Sequence, residues 1–122
     1  MSEKVKELKN GVRVINCTPH ELRFEDGSVV EPSGYLLQAK MLEKKISDLI
    51  NEIRPVPTEK ATSELEEIER KYGNDIIILG SAISAQAFPG RVKMVVLTKP
   101  RAAANEKICR IDKFSVYPAK ER

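Results

Sequence analysis

The sequence has 122 residues but only one histidine, two cysteines and no tryptophan. It contains neither a CxxC pair nor a second histidine, which excludes the ligand spacing of a structural zinc site. Glycine-rich phosphate-binding loops and the GxSxG nucleophile motif are also missing. No run of about 18 apolar residues is present, so we expect no membrane-spanning helix. These absences predict a protein that uses neither a metal ion nor an organic cofactor.

Residues 1–10 alternate in charge and lack the apolar stretch of a secretory signal peptide. We therefore expect a cytoplasmic protein in which Cys17 and Cys109 are buried free thiols. The chain length fits a single domain, residues 1–122, with a core of its own. Within it, residues 1–10 are expected to form a flexible arm and residues 118–122 a flexible tail.

Glutamine is scarce, with only Gln38 and Gln86, whereas charged residues make up 32% of the chain. Many Glu and Lys residues with few thermolabile amides are typical of hyperthermophile proteins. The composition therefore predicts an organism adapted to heat. In such a cytosol a disulfide between Cys17 and Cys109 is the alternative to two free thiols.

Charge is unevenly distributed along the chain. Residues 1–90 carry 12 Lys and Arg against 15 Asp and Glu, a net charge of −3, whereas residues 91–122 carry 9 against 3, a net charge of +6. A basic segment of this kind can contact nucleic acid or an acidic protein surface. The candidate nucleic-acid contacts are Lys93, Lys99, Arg101, Lys107, Arg110 and Lys113. The alternative is a solvated surface, because aromatic residues are few and single-strand binders stack bases on exposed aromatic side chains.

Short β-branched and apolar runs predict the strands. They are expected at residues 12–17, 21–24, 29–30, 76–79, 92–98 and 108–117. Asp26-Gly27 follows the second of these runs and is a strong signal for a hairpin turn. The unbroken run Ile76-Ile77-Ile78-Leu79 predicts a central strand that is covered on both faces.

Apolar residues at helical spacing predict a first main helix over residues 42–54, ending before Pro55. Its apolar stripe comprises Leu42, Ile46, Leu49, Ile50 and Ile53. Packing on the sheet is the usual role of such a stripe. The alternative is a homodimer through Leu42, Ile46, Leu49 and Ile53.

A second main helix is expected from an N-cap at Ser63, with Glu66 completing a capping box, to Gly73. A short third helix is expected over residues 82–88. Strand runs with helices grouped between them are typical of an α+β domain. We predict a mixed or antiparallel sheet of about five to six strands with the two main helices packed on one face.

The segment Asn16-Cys17-Thr18-Pro19-His20 is the densest cluster of reactive groups in the chain. A Cys–His pair can activate a thiol nucleophile, but no third group that would orient the histidine is evident. The favoured interpretation is a turn in which Asn16, Thr18 and His20 hydrogen bond to the local backbone. We therefore assign no catalytic residue.

Gly80-Ser81 follows the predicted central strand and precedes the third helix. Backbone N–H groups at such a junction can bind an anion, and Arg91 is a candidate partner for it. The favoured alternative is that Ser81 caps the helix.

The segment Val14-Ile15-Asn16-Cys17-Thr18-Pro19-His20, followed by Glu31-Pro32-Ser33-Gly34, resembles an uncharacterised family of small proteins from phages, prophages, bacteria and archaea. Its members have a strand that ends in Asn-x-Thr-Pro-His and a later Pro-Ser-Gly turn. Ile76-Ile77-Ile78, Ser81, Ala85-Gln86-Ala87 and Gly90-Arg91 are similar to a later block of the family. Cys17 replaces a usual aliphatic residue, and residues 40–72 look like an insertion.

The resemblance implies no established activity and therefore no catalytic residues. It implies one binding surface where two loops meet, formed by Asn16, Thr18, His20, Ser33, Ser81, Gln86 and Arg91.

Two functions are consistent with the sequence. The first is a small non-enzymatic binding or regulatory protein that contacts nucleic acid or a protein partner through its basic C-terminal part. The second is a small enzyme, or an anion- or ligand-binding domain, that uses a pocket formed by His20, Ser81 and Arg91.

Overall fold

The computed structural model describes residues 4–99 and 107–119, which form nine strands and two α-helices. In chain order these are β1 (Val5–Glu7), β2 (Arg13–Asn16), β3 (Leu22–Arg23), β4 (Val29–Val30), β5 (Ala39–Lys45), β6 (Asn51–Pro57), α1 (Glu59–Tyr72), β7 (Ile77–Leu79), α2 (Ala82–Ala87), β8 (Lys93–Leu97) and β9 (Cys109–Val116). The predicted α+β class is confirmed. Neither helix in this part of the chain is long and apolar enough to cross a membrane.

The main sheet has five strands in the order β1-β2-β7-β8-β9. β2, β7 and β8 run parallel to one another, and the edge strands β1 and β9 are antiparallel to their neighbours. β7 lies in the middle, as its unbroken apolar sequence predicts. The sheet is therefore mixed.

The side chains of the central strands contribute to two hydrophobic clusters. Ile15 and Ile78 pack in one cluster with Leu65 of α1 and Ala85 of α2. Their neighbours Val14 and Leu79 pack in the other, which contains Phe24 and Val30 from around the β3–β4 hairpin. Because successive side chains of a strand point to opposite faces, the two clusters cover the two faces of the sheet.

The predicted Asp26-Gly27 hairpin is confirmed. The Phe24 N–H donates to the carbonyl of Ser28 at 2.9 Å, and Gly27 has a φ of 89°, a value that glycine adopts most readily. At the N-terminus, residues that were expected to belong to a flexible arm form β1, which pairs with β2, and Leu8 behind it is buried.

The helix predicted over residues 42–54 is wrong, because this segment forms the antiparallel β5–β6 hairpin. Its isoleucines favour a strand as much as an apolar helix face, and Pro55 and Pro57 are tolerated on an edge strand. Every residue from 40 to 54 is exposed, and we call this segment the projecting hairpin. The stripe of Leu42, Ile46, Leu49, Ile50 and Ile53 therefore does not pack on the sheet.

Helix α1 begins earlier than predicted. Thr58 is its N-cap and accepts a hydrogen bond from the Ala61 N–H at 3.1 Å, so the predicted capping box at Ser63 and Glu66 is wrong. The predicted end at Gly73 is confirmed: Gly73 has a φ of 83° and its N–H donates to the carbonyl of Glu69. The third helix is confirmed as α2.

Candidate functional site

The loop after β2 is organised by the side chain of Asn16, which is fully buried. Its amide nitrogen donates to the carbonyls of His20 at 2.7 Å and Val30 at 3.1 Å. Its oxygen accepts from the N–H of Thr18 at 2.9 Å and from the Thr18 hydroxyl at 2.6 Å. The favoured prediction, a turn held by local hydrogen bonds, is confirmed for the side chains of Asn16 and Thr18, whereas His20 takes part through its backbone.

The thiol of Cys17 is buried beside Ser33, and Cys109 is also a buried free thiol. The two cysteines belong to the separate clusters on opposite faces of the sheet. Burial raises the pKa of Cys17 to about 12, so the thiol is neutral at physiological pH. A neutral thiol is a poor nucleophile, and a Cys17–His20 catalytic pair has no support.

A groove of about 980 Å³ lies where the parallel strands β2 and β7 end. Because both strands end at the same edge of the sheet, the loops that follow them come together there. Its apolar lining includes Leu22, Met94, Val95 and Leu97. Its polar lining includes Thr18, His20, Arg23, Ser81 and Lys107. Glu21 also lines it and forms an ion pair with Arg23 at 3.2 Å, so Lys107 is the basic side chain of the groove with no ion-pair partner among the described residues. The groove therefore combines an apolar floor with a polar rim of two basic side chains and one acidic side chain.

A second cavity of about 340 Å³ shares the lining residues Thr18, Pro19 and Ser81 with this groove. It continues towards the base of the projecting hairpin, where Ala39 and Thr58 line it. No charged side chain lines this second cavity. The larger groove is the one with charged groups for ligand recognition.

Ser81 caps α2, as the favoured prediction states. Its hydroxyl accepts from the Ser84 N–H at 3.2 Å and donates to the Ser84 hydroxyl at 3.2 Å. The Ser84 hydroxyl in turn donates to the carbonyl of Leu37. Directly before Ser81, a side chain at Gly80 would meet Val92, because a Cβ there would lie 2.7 Å from Val92 Cγ1.

The structure brings together only part of the binding surface that the family resemblance implied. Thr18, His20 and Ser81 line the groove, whereas Asn16 and Ser33 are buried behind it. Gln86 and Arg91 line neither cavity. Gln86 donates to the hydroxyl of Tyr117 at 3.2 Å, and Arg91 donates to both carboxylate oxygens of Glu69 at 2.7 and 3.1 Å.

Most of the candidate nucleic-acid contacts lie on or beside the paired strands β8 and β9. Lys107 lines the groove, and Arg110 forms an ion pair with Asp112 at 2.9 Å. Lys93 donates to the carbonyl of Gly90 at 3.4 Å. Lys99 and Lys113 are exposed, and Arg101 lies outside the described residues. Of the described members of this set, only Lys107 lines the groove.

All six aromatic residues of the chain contribute to the interior. Phe24, Tyr35 and Phe88 are buried. Tyr72, Phe114 and Tyr117 pack against the two clusters. The exposed aromatic platform that stacks bases in single-strand binders is therefore not available.

The projecting hairpin is a second candidate site, which the sequence analysis placed in a helix. Its large apolar side chains are exposed on both faces of the ribbon, with Ile53 at 58% and Leu49 at 94%. The β-branched residues and the two prolines were the signals that favour a hairpin.

Within residues 4–99 and 107–119, His, Cys, Asp and Glu side chains form no group of three or more that could hold a metal ion. No family model, curated protein or solved structure matches the chain. The family resemblance therefore rests on its short motifs alone, and the function has to be argued from the chemistry of the groove and the hairpin.

Proposed function

We propose that this chain is a small non-enzymatic binding protein that holds an amphipathic organic anion in the groove. The observation that carries the proposal is the groove itself, with about 980 Å³ of space, an apolar floor and a few convergent polar groups. Ligand sites typically have volumes of about 300–1,000 Å³ and this kind of lining.

The floor of the groove selects for an apolar body. Leu22, Val95 and Leu97 come from two different strands, β3 and β8, and are only partly buried by the protein. An alkyl or ring portion of a ligand would cover them and gain about 25 cal/mol for each Å² of apolar surface removed from water.

The rim selects for a negative charge. Lys107 is exposed beside the groove, and Arg23 lies on the same rim with Glu21 as its ion-pair partner at 3.2 Å. Among the described acidic side chains, none forms an ion pair with Lys107. An anionic head group beside Lys107 would supply that partner.

Binding rather than catalysis is favoured because the hydroxyls at the groove take part in the fold. Thr18 donates to Asn16, and Ser81 caps α2. The thiol that lines the groove is that of Cys109, and burial raises its pKa, so it is neutral at physiological pH. These groups position the rim and are not activated for nucleophilic attack.

The proposal is tested by titrating the nitrogen-15-labelled protein with octanoate and, in parallel, with octanol. We expect saturable amide shifts around Thr18, Ala82 and Leu97, with tighter binding of the carboxylate than of the alcohol. Lys107→Ala should weaken octanoate binding about fivefold, because an exposed ion pair contributes about 1 kcal/mol.

Lys113→Ala is the matched control, since Lys113 is an exposed lysine of β9 that does not line the groove. Equal affinity for octanoate and octanol would show that the groove does not select for a negative charge. Equal losses of octanoate affinity in the two lysine variants would show that Lys107 does not bind the carboxylate. Amide shifts confined to residues 40–54 would show that octanoate binds to the projecting hairpin and not in the groove.

The net charge of +6 over residues 91–122 favours a second candidate, which is binding to the phosphate backbone of nucleic acid. Three of the six aromatics are buried and the other three pack partly buried against the core, so such binding would rest mainly on lysine–phosphate contacts. Gel-shift titrations with one duplex at low and at physiological salt test it. Retention that falls steeply with salt supports this candidate, and no retention at low salt contradicts it.

A further inference from the structure

We propose that two copies of this chain associate edge to edge through β6, so that their projecting hairpins form one four-stranded antiparallel sheet. This inference is independent of the ligand groove. It begins from an unusual exposure: the hairpin leaves Met41 and Ile53 uncovered on one face and Leu42, Ile46 and Ile50 uncovered on the other. An isolated two-stranded hairpin is only marginally stable in water, and further strands stabilise it.

The hydrogen-bond pattern of the hairpin shows which backbone groups are available at its edges. The Ile46 N–H donates to the carbonyl of Ile50 at 2.9 Å, while the Ile50 N–H donates to the carbonyl of Ser47 in the turn at 3.4 Å, so Ile46 and Ile50 occupy a hydrogen-bonded position where the ladder meets the turn. Hydrogen-bonded and non-hydrogen-bonded pairs alternate along an antiparallel ladder. The odd-numbered residues of β6 therefore direct their backbone groups outward.

The prolines of β6 agree with this assignment. Pro55 and Pro57 lie at odd positions, where a missing N–H costs no bond inside the hairpin. The outer edge of β6 consequently offers the N–H groups of Asn51 and Ile53 and the carbonyls of Asn51, Ile53 and Pro55.

One register satisfies these groups between two copies. If Ile53 faces Ile53 of the second copy, the two residues exchange a pair of hydrogen bonds. The N–H of Asn51 then donates to the carbonyl of Pro55 of the second copy, and the two-fold symmetry repeats that bond. Both N–H groups at the edge form hydrogen bonds, and the register needs no N–H from Pro55 or Pro57.

Charge complementarity selects the same register. It places Glu52 opposite Arg54 of the second copy, twice, and Ile50 opposite Val56 on the same face. Moving the two-fold axis by one residue places Glu52 opposite Glu52, or Arg54 opposite Arg54. Like charges directly opposite each other are destabilising.

The edge of β5 does not offer this complementarity. The registers that overlap β5 best place Lys40 opposite Lys44 of a second copy, or Glu43 opposite its own copy. The lysines of β5 thus act as edge protection, as charged residues do on many edge strands. β6 remains as the edge that fits a second copy.

Analytical ultracentrifugation of the full chain and of charge variants tests the proposal. We expect the wild type to dimerise, and Arg54→Glu and Glu52→Arg to weaken dimerisation about tenfold or more, since each turns two attractive pairs into two repulsive ones. Mixing the two variants should restore a dimer. In the mixed dimer the two acidic side chains of one copy face the two basic side chains of the other, which forms two attractive pairs again.

Lys113→Glu is the control, since it makes the same change of charge at an exposed position of β9 in the main sheet, outside the projecting hairpin. Because Glu52 also faces Lys44 inside the hairpin, amide spectra of the dilute monomer that are unchanged in both the main sheet and β5–β6 would confirm that each variant is folded. A wild type that stays monomeric at millimolar concentration, a control that weakens the dimer as much as Arg54→Glu, or a mixture that does not associate would each overturn the proposal.

Discussion

Two residues position the rim of the groove. Asn16 connects the loop after β2 to β4 through hydrogen bonds to the carbonyls of His20 and Val30. Gly80 connects β7 to α2 at a point where a larger residue would meet Val92 and Ser84. Neither residue has to contact a ligand, but Asn16 positions Thr18 and Gly80 positions Ser81.

Gly80→Ala should lower the free energy of unfolding by about 1–3 kcal/mol, because its Cβ would lie 2.7 Å from Val92 Cγ1 and 3.1 Å from the Ser84 Cβ. Urea denaturation measures the loss. In a Val92→Ala background the same substitution should cost less, because the clashing methyl groups are gone. An equal loss in both backgrounds would show that the close approach of Val92 does not explain why residue 80 is glycine.

The thiol of Cys17 should make stability fall at alkaline pH. The folded state keeps the proton up to about pH 12, whereas the unfolded chain loses it near 9.0. The unfolded state therefore binds fewer protons above pH 9, and the free energy of unfolding falls as the pH rises from about 9 to about 12.

Between about pH 9.5 and about pH 10.5, the wild type should lose about 1 kcal/mol more than Cys17→Ala in urea denaturation. The pKa of Tyr35 is also raised to about 12, mainly by burial, but this group is common to both proteins. Parallel pH profiles for the two proteins would contradict the assignment to Cys17.

At the scale of secondary-structure elements, the projecting hairpin is the main difference between sequence and structure. The spacing of Leu42, Ile46 and Ile53 fits one face of a helix. This spacing shows only that the apolar side chains would share one face if the segment were helical, and not that the segment is helical. The hairpin is held instead by cross-strand pairs such as Lys44 with Glu52, which lie too far apart in sequence for a periodicity argument.

Replacing residues 43–53 by Asn-Gly should leave the main sheet intact, because the removed residues are exposed. Leu42 and Arg54 are paired across the hairpin, so the two-residue turn joins strands that already face each other. We expect the amide spectrum of β2, β7 and β8 to be retained, with a free energy of unfolding within about 1 kcal/mol of the wild type. Loss of the native spectrum would show that the hairpin belongs to the folding core.

Elements with strong local signals could be predicted. The apolar run of β7, the Asp26-Gly27 turn and the cap at Ser81 each follow from a few adjacent residues. The groove could be predicted only in part. Thr18 and His20 lie in a dense local motif, but Val95, Leu97 and Lys107 join them through strand order, which no local pattern encodes.

At the scale of the whole molecule, the two candidate sites are separate. The groove lies at the end of β2 and β7, and the proposed self-association uses the outer edge of β6 in the projecting hairpin. The proposed pairing uses residues 50–56, none of which lines the groove. Ligand binding and dimerisation can therefore be measured independently of each other.

The central claim is that an apolar ligand body lies against Leu22, Val95 and Leu97. Isotope-filtered nuclear Overhauser spectroscopy with octanoate on the carbon-13-labelled chain measures this contact directly. We predict Overhauser effects from the octanoate methylene protons to the methyl groups of these three residues. Effects found only on the methyl groups of Leu42, Ile46 and Ile50, in the projecting hairpin, would contradict the claim.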